Sequence, residues 1–471
     1  MSDWLPNLHH HRGTAIRQFS PAARIEQDHR FDDLWDTSPW STCVSEDRCH
    51  INTYINSSYT DQEQEARVSP DYLIDIDAFE GDPLPAEIAK SDVDRGLELI
   101  HALLGCAEAV GCRDTRLASS LLDRIRARAS PSGDPLQRVS HYFATGLSAR
   151  LSLLEHLGPN NPLTNASTAP LVSADERAEA FHLLHQTTPY VVFGHAAANA
   201  AILRASQGAD AFHIVDLGME HALQWPPLLR SLASRATPTT VRITGLGVPA
   251  DRAAHLEASM ASVAEEARAL GVHVEFRALC GDEDVESSLA PRLRRGEALY
   301  VNAAARLHRY ERERLKEVLR GIRRVGPALV TVAEQDADHN GPFFVGRFVE
   351  AIHYYAAVFD SLEGVGMGRG RVEGWHFGEE IREVVAGEGR GRRMRHERAE
   401  KWRRVMGRSG FQGLGMEEGC MGEVRRVVAE YGGMGYTVAA EKGCLLLGWK
   451  GRPIMMASAW RVHPSYSSSS T

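Results

Sequence analysis

The segment Ala211–Leu217, AFHIVDL, is a short apolar run that ends on an acid and a leucine and is followed by Gly218. An acid and a glycine at a strand end could hold a small molecule. Ligands of open α/β sheets sit at the carboxyl ends of the strands, where the backbone must come close to them. Asp216, Gly218 and Gly245 therefore mark a candidate ligand crevice. The pattern is incomplete. A dinucleotide or adenosylmethionine loop needs several glycines, and Met219, Glu220 and His221 occupy the positions after Gly218. The next strand ends Thr244-Gly245-Leu246-Gly247, with no acid to hold ribose hydroxyls. The loop reads as filled, and no cofactor is expected.

Other chemistry is weaker still. Asp336, Asp338 and His339 follow an apolar strand and could serve acid/base work or a metal, but an ordinary polar loop fits them better. There is no G-x-S-x-G elbow, no phosphate-binding G-x-x-x-x-G-K-[ST] loop and no H-E-x-x-H. The seven cysteines contain no C-x-x-C pair, which speaks against a disulfide framework and a zinc ribbon. Cys43, Cys49 and His50 lack the further ligands a zinc site requires. A reducing compartment fits best, and neither a catalytic residue nor a metal site is expected.

One stretch is densely basic: Gly389–Arg408, GRGRRMRHERAEKWRRVMGR. Arg390, Arg392, Arg393, Arg395, Arg403 and Arg404 are candidates for DNA phosphate contacts, since guanidinium groups neutralise backbone charge and release counterions. The stretch also reads as a nuclear import signal, or as a solvated helix that buries Met394, Trp402 and Val405. Lysine occurs only at Lys90, Lys316, Lys401, Lys442 and Lys450, so arginine is the default basic residue and a single one carries little weight.

The elements that must position these residues follow from period and punctuation. The chain has 471 residues, 43% hydrophobic and 24% charged, with a net charge of −9, which excludes wholesale disorder. No apolar run reaches the roughly 18 residues of a membrane helix. The opening MSDWLPNLHHHR has no basic region followed by an apolar one, so no secretory leader is expected. Residues 1–85 show no sustained period and read as a flexible arm. Residues 86–205 read as helices, with Leu97, Ile100, Leu103, Leu104 and Ala107 at helical spacing. Their leucine-rich faces look wider than one core needs and suggest a dimer interface. From 206 to 464 the pattern alternates β and α and closes with strands, Gly443 and Gly451 marking tight turns. Residues 465–471 read as a tail. The expected fold is α/β: a Rossmann-like, doubly wound sheet of the S-adenosylmethionine-dependent methyltransferase type, with one reversed edge pair and an N-terminal helical cap. Within it, His213 is expected to be a buried histidine bonded to backbone or to an acid. Trp225 and Trp460 read as core, and Arg347 with Glu350 as an i,i+3 ion pair.

Several of these segments occur together in a familiar order. Phe212-His213-Ile214-Val215-Asp216 resembles the VHIID motif of the GRAS family of plant transcription regulators, with Gln224-Trp225-Pro226 and Arg242-Ile243-Thr244-Gly245 continuing it. Gly96–Arg150 resembles that family's first leucine-rich region, and Leu307-His308 the end of its second. Pro342-Phe343-Phe344 with Arg347, Phe348 and Glu350 resembles PFYRE. Arg395-His396-Glu397 and Lys401-Trp402-Arg403 resemble the motifs that follow it, and Ser458-Ala459-Trp460 the closing SAW. The resemblance runs from about Gly96 to Pro464 and looks most like a scarecrow-like member. It implies a methyltransferase-like core under a helical cap, without methyltransferase activity. It implies a non-enzymatic regulator in the nucleus, pairing with other GRAS proteins and with DNA-binding transcription factors. A homodimer and direct DNA contact through the basic stretch are further implied options. The alternative is a small-molecule-binding or methyltransferase-like protein that uses the crevice above Asp216. The acidic DELLA-type degradation motif is absent.

Overall fold

A computed structural model describes residues 86–464, apart from 158–162, 164–167, 236–237, 282–284, 290–293, 295 and 433–434. The arm expected at 1–85, the tail at 465–471, and Cys43, Cys49 and His50 lie outside the described residues. Those that are described fall within one unit, residues 68–471.

Five helices come first: α1 (Ala86–Gly111), α2 (Thr115–Arg126), α3 (Pro135–Leu157), α4 (Ala174–Thr187) and α5 (Pro189–Ala205). Local chemistry sets their starts. The Asp114 carboxylate accepts from Leu117 N at 3.0 Å and caps α2. Ser173 and Glu176 form a reciprocal capping box on α4. Thr188 caps α5, with Pro189 at its first position.

The α/β alternation then runs β1 (Ala211–Leu217), α6 (Trp225–Ala233), β2 (Thr239–Val248), α7 (Ala253–Ala269), β3 (Val272–Cys280), α8 (Val285–Leu289), β4 (Ala298–Ala304), α9 (Arg312–Val325), β5 (Leu329–Gln335) and α10 (Phe344–Ser361). Next come the short α11 (Arg369–Arg371), a π-helical segment Val372–Gly378, α12 (Glu379–Ala386) and α13 (Ala399–Arg408). The chain closes with β6 (Phe411–Leu414), α14 (Glu417–Ala429), β7 (Tyr436–Glu441), β8 (Cys444–Trp449) and β9 (Arg452–Val462).

The strands form one sheet in the order β3-β2-β1-β4-β5-β9-β8-β7. β1 to β5 are parallel and β9 runs antiparallel to β5, which is the doubly wound methyltransferase-type arrangement expected. β1 and β5 are buried along almost their whole length, as strands covered on both faces must be. The antiparallel end is larger than the one reversed pair expected. It has three strands, and the short β6 pairs with the far half of β9. The last two hairpins turn on Lys442-Gly443 and Lys450-Gly451, all four at positive φ. That is the two-residue geometry matching strand twist, and it is why glycine stands at Gly443 and Gly451.

The helical layer draws on more than residues 86–205. α1 packs on α2, α3 and α10, and α3 packs on α10 and α12, whereas α5 lies against β5 and β9. The leucine-rich faces are covered in the process. Leu103, Ile125, Val139, Phe143 and Leu147 are fully buried, and in α1 to α3 the only exposed large apolar side chains among the described residues are Leu117 and Leu157. Among the described residues, little large apolar surface of these helices is left fully exposed, although Leu97, Leu104 and Leu121 stay half-buried.

Candidate functional site

β1 and β4 are neighbours at the point where strand order reverses. Their carboxyl ends open on a crevice of about 520 Å3. One wall is the β1 turn, Asp216 to His221, and another the turn after β4, Ala304 to Arg309. The π-helical segment and α12 supply Trp375, His376, Glu380 and Glu383.

The β1 turn is occupied by protein. Gly218 has φ +67°, and a Cβ on it would collide with the Arg306 side chain. The same guanidinium lies 3.4 Å from where a Cβ on Gly247 would stand. Met219 is buried and would sit 3.4 Å from a Cβ on Gly245. The space over Gly218 and Gly245, where a nucleoside would need to approach the backbone, is thus filled by Arg306 and Met219.

Asp216 is buried and accepts from Asn302 Nδ2 at 2.8 Å. Asn302 is held by Gln224 and Thr331, and Gln224 in turn by Asn199, a ladder of buried amides joining α5, β1, β4 and β5. Burial pushes the Asp216 carboxyl up to about 7, with the Asn302 bond opposing. His213 does not reach this crevice. Its Nε2 lies 2.8 Å from Thr244 Oγ1, and Arg242 donates to its Nδ1 at 2.7 Å. Its partners are thus side chains, not the backbone or acid expected. Burial and then Arg242 bring its pKa down to about 4.

Three histidines from separate segments meet beside the crevice. His339 Nδ1 is 2.9 Å from His396 Nδ1, and the His308 and His396 rings lie 4.3 Å apart. His308 Nδ1 is 2.7 Å from Glu334 Oε2, and Glu334 Oε1 accepts from Arg306 N and Leu307 N. Burial pushes Glu334 up to about 8 and His308 down to about 3, so the pair holds one proton between them at neutral pH. Asp336 accepts from Ala399 N at 2.6 Å at the start of α13. Asp336 and His339 are thus fastenings of the fold, and no group of three or more metal-ligating side chains occurs among the described residues.

Arg347 and Glu350 do not pair with each other. Arg347 is buried and donates to Glu388 Oε2 at 2.8 Å and to Gly341 O, while Glu350 accepts from Arg398 at 2.8 Å. Arg150 of α3 reaches the same Glu388 oxygen at 3.0 Å and lies 3.8 Å over the Phe344 ring. The expected intrahelical pair is replaced by longer-range contacts because both side chains point at other elements.

The basic stretch is partly tied into the fold. Arg392 donates to Asn340 Oδ1 at 2.9 Å, Arg393 lies 2.7 Å from Glu383, and the buried Arg395 donates to the Gly389 and Arg309 carbonyls. Arg390, Arg393 and Arg404 are exposed and Arg392 and Arg403 half-buried, so of the six only Arg395 is withdrawn from the surface. Ser458, Ala459 and Trp460 lie on β9 opposite Val332, Thr331 and Val330, with Trp460 Nε1 donating to Ser458 Oγ at 2.9 Å. Trp225 is fully buried, as expected of core.

A model of the GRAS domain family matches residues 99–461. The chain belongs to the GRAS family. It is 36% identical to the GRAS family protein RAD1 of Medicago truncatula, over 88% of this chain and 80% of that protein. It is 34% identical to the DELLA protein GAI1 of Vitis vinifera over 80% of this chain, spanning 65% of that protein. Among solved structures, SCL7 of Oryza sativa superposes with a TM-score of 0.67 at 32% identity, covering 77% of this chain and 99% of that one.

The GRAS motifs occupy adjoining places in this fold. The VHIID-like segment is β1, the SAW segment lies on β9 next to β5, and the Arg395-His396-Glu397 segment meets Leu307-His308 through the histidine cluster. Arg306, Gln335, Glu380 and the π-helical turn carrying Trp375 and His376 line the crevice, and sequence reading missed all of them. Arg306 and Glu380 sit among many other charges, and no local pattern marks a π-helical turn. Asp216 and Gly218, read as a candidate crevice, and Leu307-His308, at the end of a known motif, did point to this neighbourhood.

Proposed function

We propose that this GRAS protein is a nuclear regulator of transcription that works as an interaction scaffold for other GRAS proteins and DNA-binding transcription factors, and not by methyl transfer. The observation that carries the reading is the β1 turn. A methyltransferase-type sheet is kept, yet Arg306 and Met219 fill the space over Gly218 and Gly245, and the first acid after β2, Asp251, stands three residues beyond its end. The protein-interaction role is preferred to direct DNA readout because Arg392, Arg393 and Arg395 are engaged within the fold.

Fusing the full chain to an unrelated DNA-binding domain tests the regulatory role. A reporter carrying that domain's site should change output at least threefold in plant cells, and the change should survive Asp216→Asn. A nuclear, well-expressed fusion that leaves the reporter untouched would refute the regulatory role.

A further inference from the structure

The crevice is filled at the β1 turn but open behind it, and its inner wall has an unusual charge arrangement. Glu380 is buried, yet its bonds come from the neutral Gln335 Nε2, at 3.1 and 3.0 Å, and from Tyr355 OH at 3.2 Å. The nearest basic side chain is His376 at 3.5 Å, and burial favours its neutral form. Asp216, on the same cavity, has only Asn302. Neither carboxyl has an arginine or lysine partner among the described residues. Buried carboxylates are ordinarily paired, because an isolated one carries a large desolvation cost.

A second observation is independent of charge. Gln335 Oε1, Glu383 Oε2, His195 Nδ1 and His308 Nε2 are buried without a hydrogen-bond partner, and all four residues line this cavity. Gln335 and His308 are more than nine-tenths buried. Each of these atoms is itself sealed from the cavity, so an occupant would bond it only after its side chain turns. The wall also carries the π-helical turn with Trp375 and His376, a local distortion common at functional sites.

The mouth has the opposite sign. Arg306 is half-buried, donates from Nε to Tyr310 OH at 3.2 Å, and has no carboxylate partner among the described residues. Arg309 beside it is exposed and paired only to Glu220 at 3.2 Å. Acceptors lie inside and unpaired guanidinium at the rim.

The geometry points to a binding site for a small zwitterion, an amino-acid-like molecule with its ammonium on the wall of Asp216, Gln335 and Glu380 and its anionic group at Arg306. The cavity, about 520 Å3, is within the usual size range for small-ligand sites. A nucleoside is not part of the ligand, because Arg306 and Met219 cover the turn it would need. The inference goes beyond the regulatory role and does not depend on it.

Calorimetric titration of the full chain tests it. The probes are β-alanine, 4-aminobutyrate and 6-aminohexanoate, a ladder of charge separations, with hexanoate and hexylamine as single-charge controls. At least one amino acid should bind saturably, at least tenfold tighter than either control. Glu380→Gln and Arg306→Ala should each weaken it tenfold or more. Arg306→Ala, at the rim, should keep the parent melting temperature, so its result stands even if Glu380→Gln does not fold. No saturable binding by any of the three up to about 10 mM, or binding unchanged in Arg306→Ala, would overturn the inference.

Discussion

At the scale of single residues, family motifs here mark fastenings between distant parts of the chain. Arg347 is the clearest case. Residue spacing allowed a pair with Glu350, but the guanidinium turns to Glu388, which Arg150 also holds. A double-mutant cycle separates the two. Arg347 with Glu388 should show a coupling of about 1–3 kcal/mol in urea unfolding, and Arg347 with Glu350 less than about 0.5 kcal/mol. Arg347→Ala alone should destabilise by about 1–3 kcal/mol, because Glu388 keeps its bond from Arg150 while the Gly341 carbonyl loses its donor. Burial of Trp225 and Trp460 was legible from their type and setting. The partners of His213, Arg347 and Arg395 were not, because a side chain's partner 29 to 86 positions away leaves no mark in local spacing.

At the scale of elements, the β1 bounds, the α/β alternation that follows and the closing strands were legible. Their alternation, apolar runs and two hairpin turns all point the same way. β6, of four residues, and α14 were missed; β6 is too short to show a period. The junctions between elements carry most of the buried titratable groups, and these set a pH profile. His308, His339 and His396 have folded-state pKa values below that of a free histidine, chiefly through burial. Above pH 6.5 their contribution is constant. Below it the unfolded chain takes up protons first, so stability is lost as pH falls. Asp216 and Glu334 are raised to about 7 and 8, so the folded protein holds protons that the unfolded chain has released. Their contribution is lost as pH rises from about 4 to 8. Buried histidines such as His195, His213 and His221 share the first trend, so acid should dominate below 6.5. Urea unfolding should show a stability maximum near pH 6.5. Asp216→Asn should flatten the alkaline side by about 1 kcal/mol, since most of its titration window lies below pH 6.5. A steady rise to pH 8 would contradict these assignments.

At the scale of the whole molecule, the sheet and its crevice survive while the turn that would hold a methyl-donor cofactor is filled. The missing glycines after Gly218 made that readable in advance. What fills the space was not readable, because Arg306 arrives from the turn after β4, almost ninety positions away. The basic stretch shows the same limit in reverse. It looked like a surface, yet Arg392 and Arg395 hold Asn340 and the Gly389 carbonyl, so charge reversal at those two positions would test folding before DNA contact. The central claim is that this methyltransferase-type fold does not take up the methyl donor. Calorimetric titration of the full chain with S-adenosylmethionine and S-adenosylhomocysteine tests it most directly. The account predicts no heat of binding and an unchanged melting temperature with either compound. Binding tighter than about 100 μM, roughly 5.5 kcal/mol, and weakened by Asp216→Asn, would contradict it.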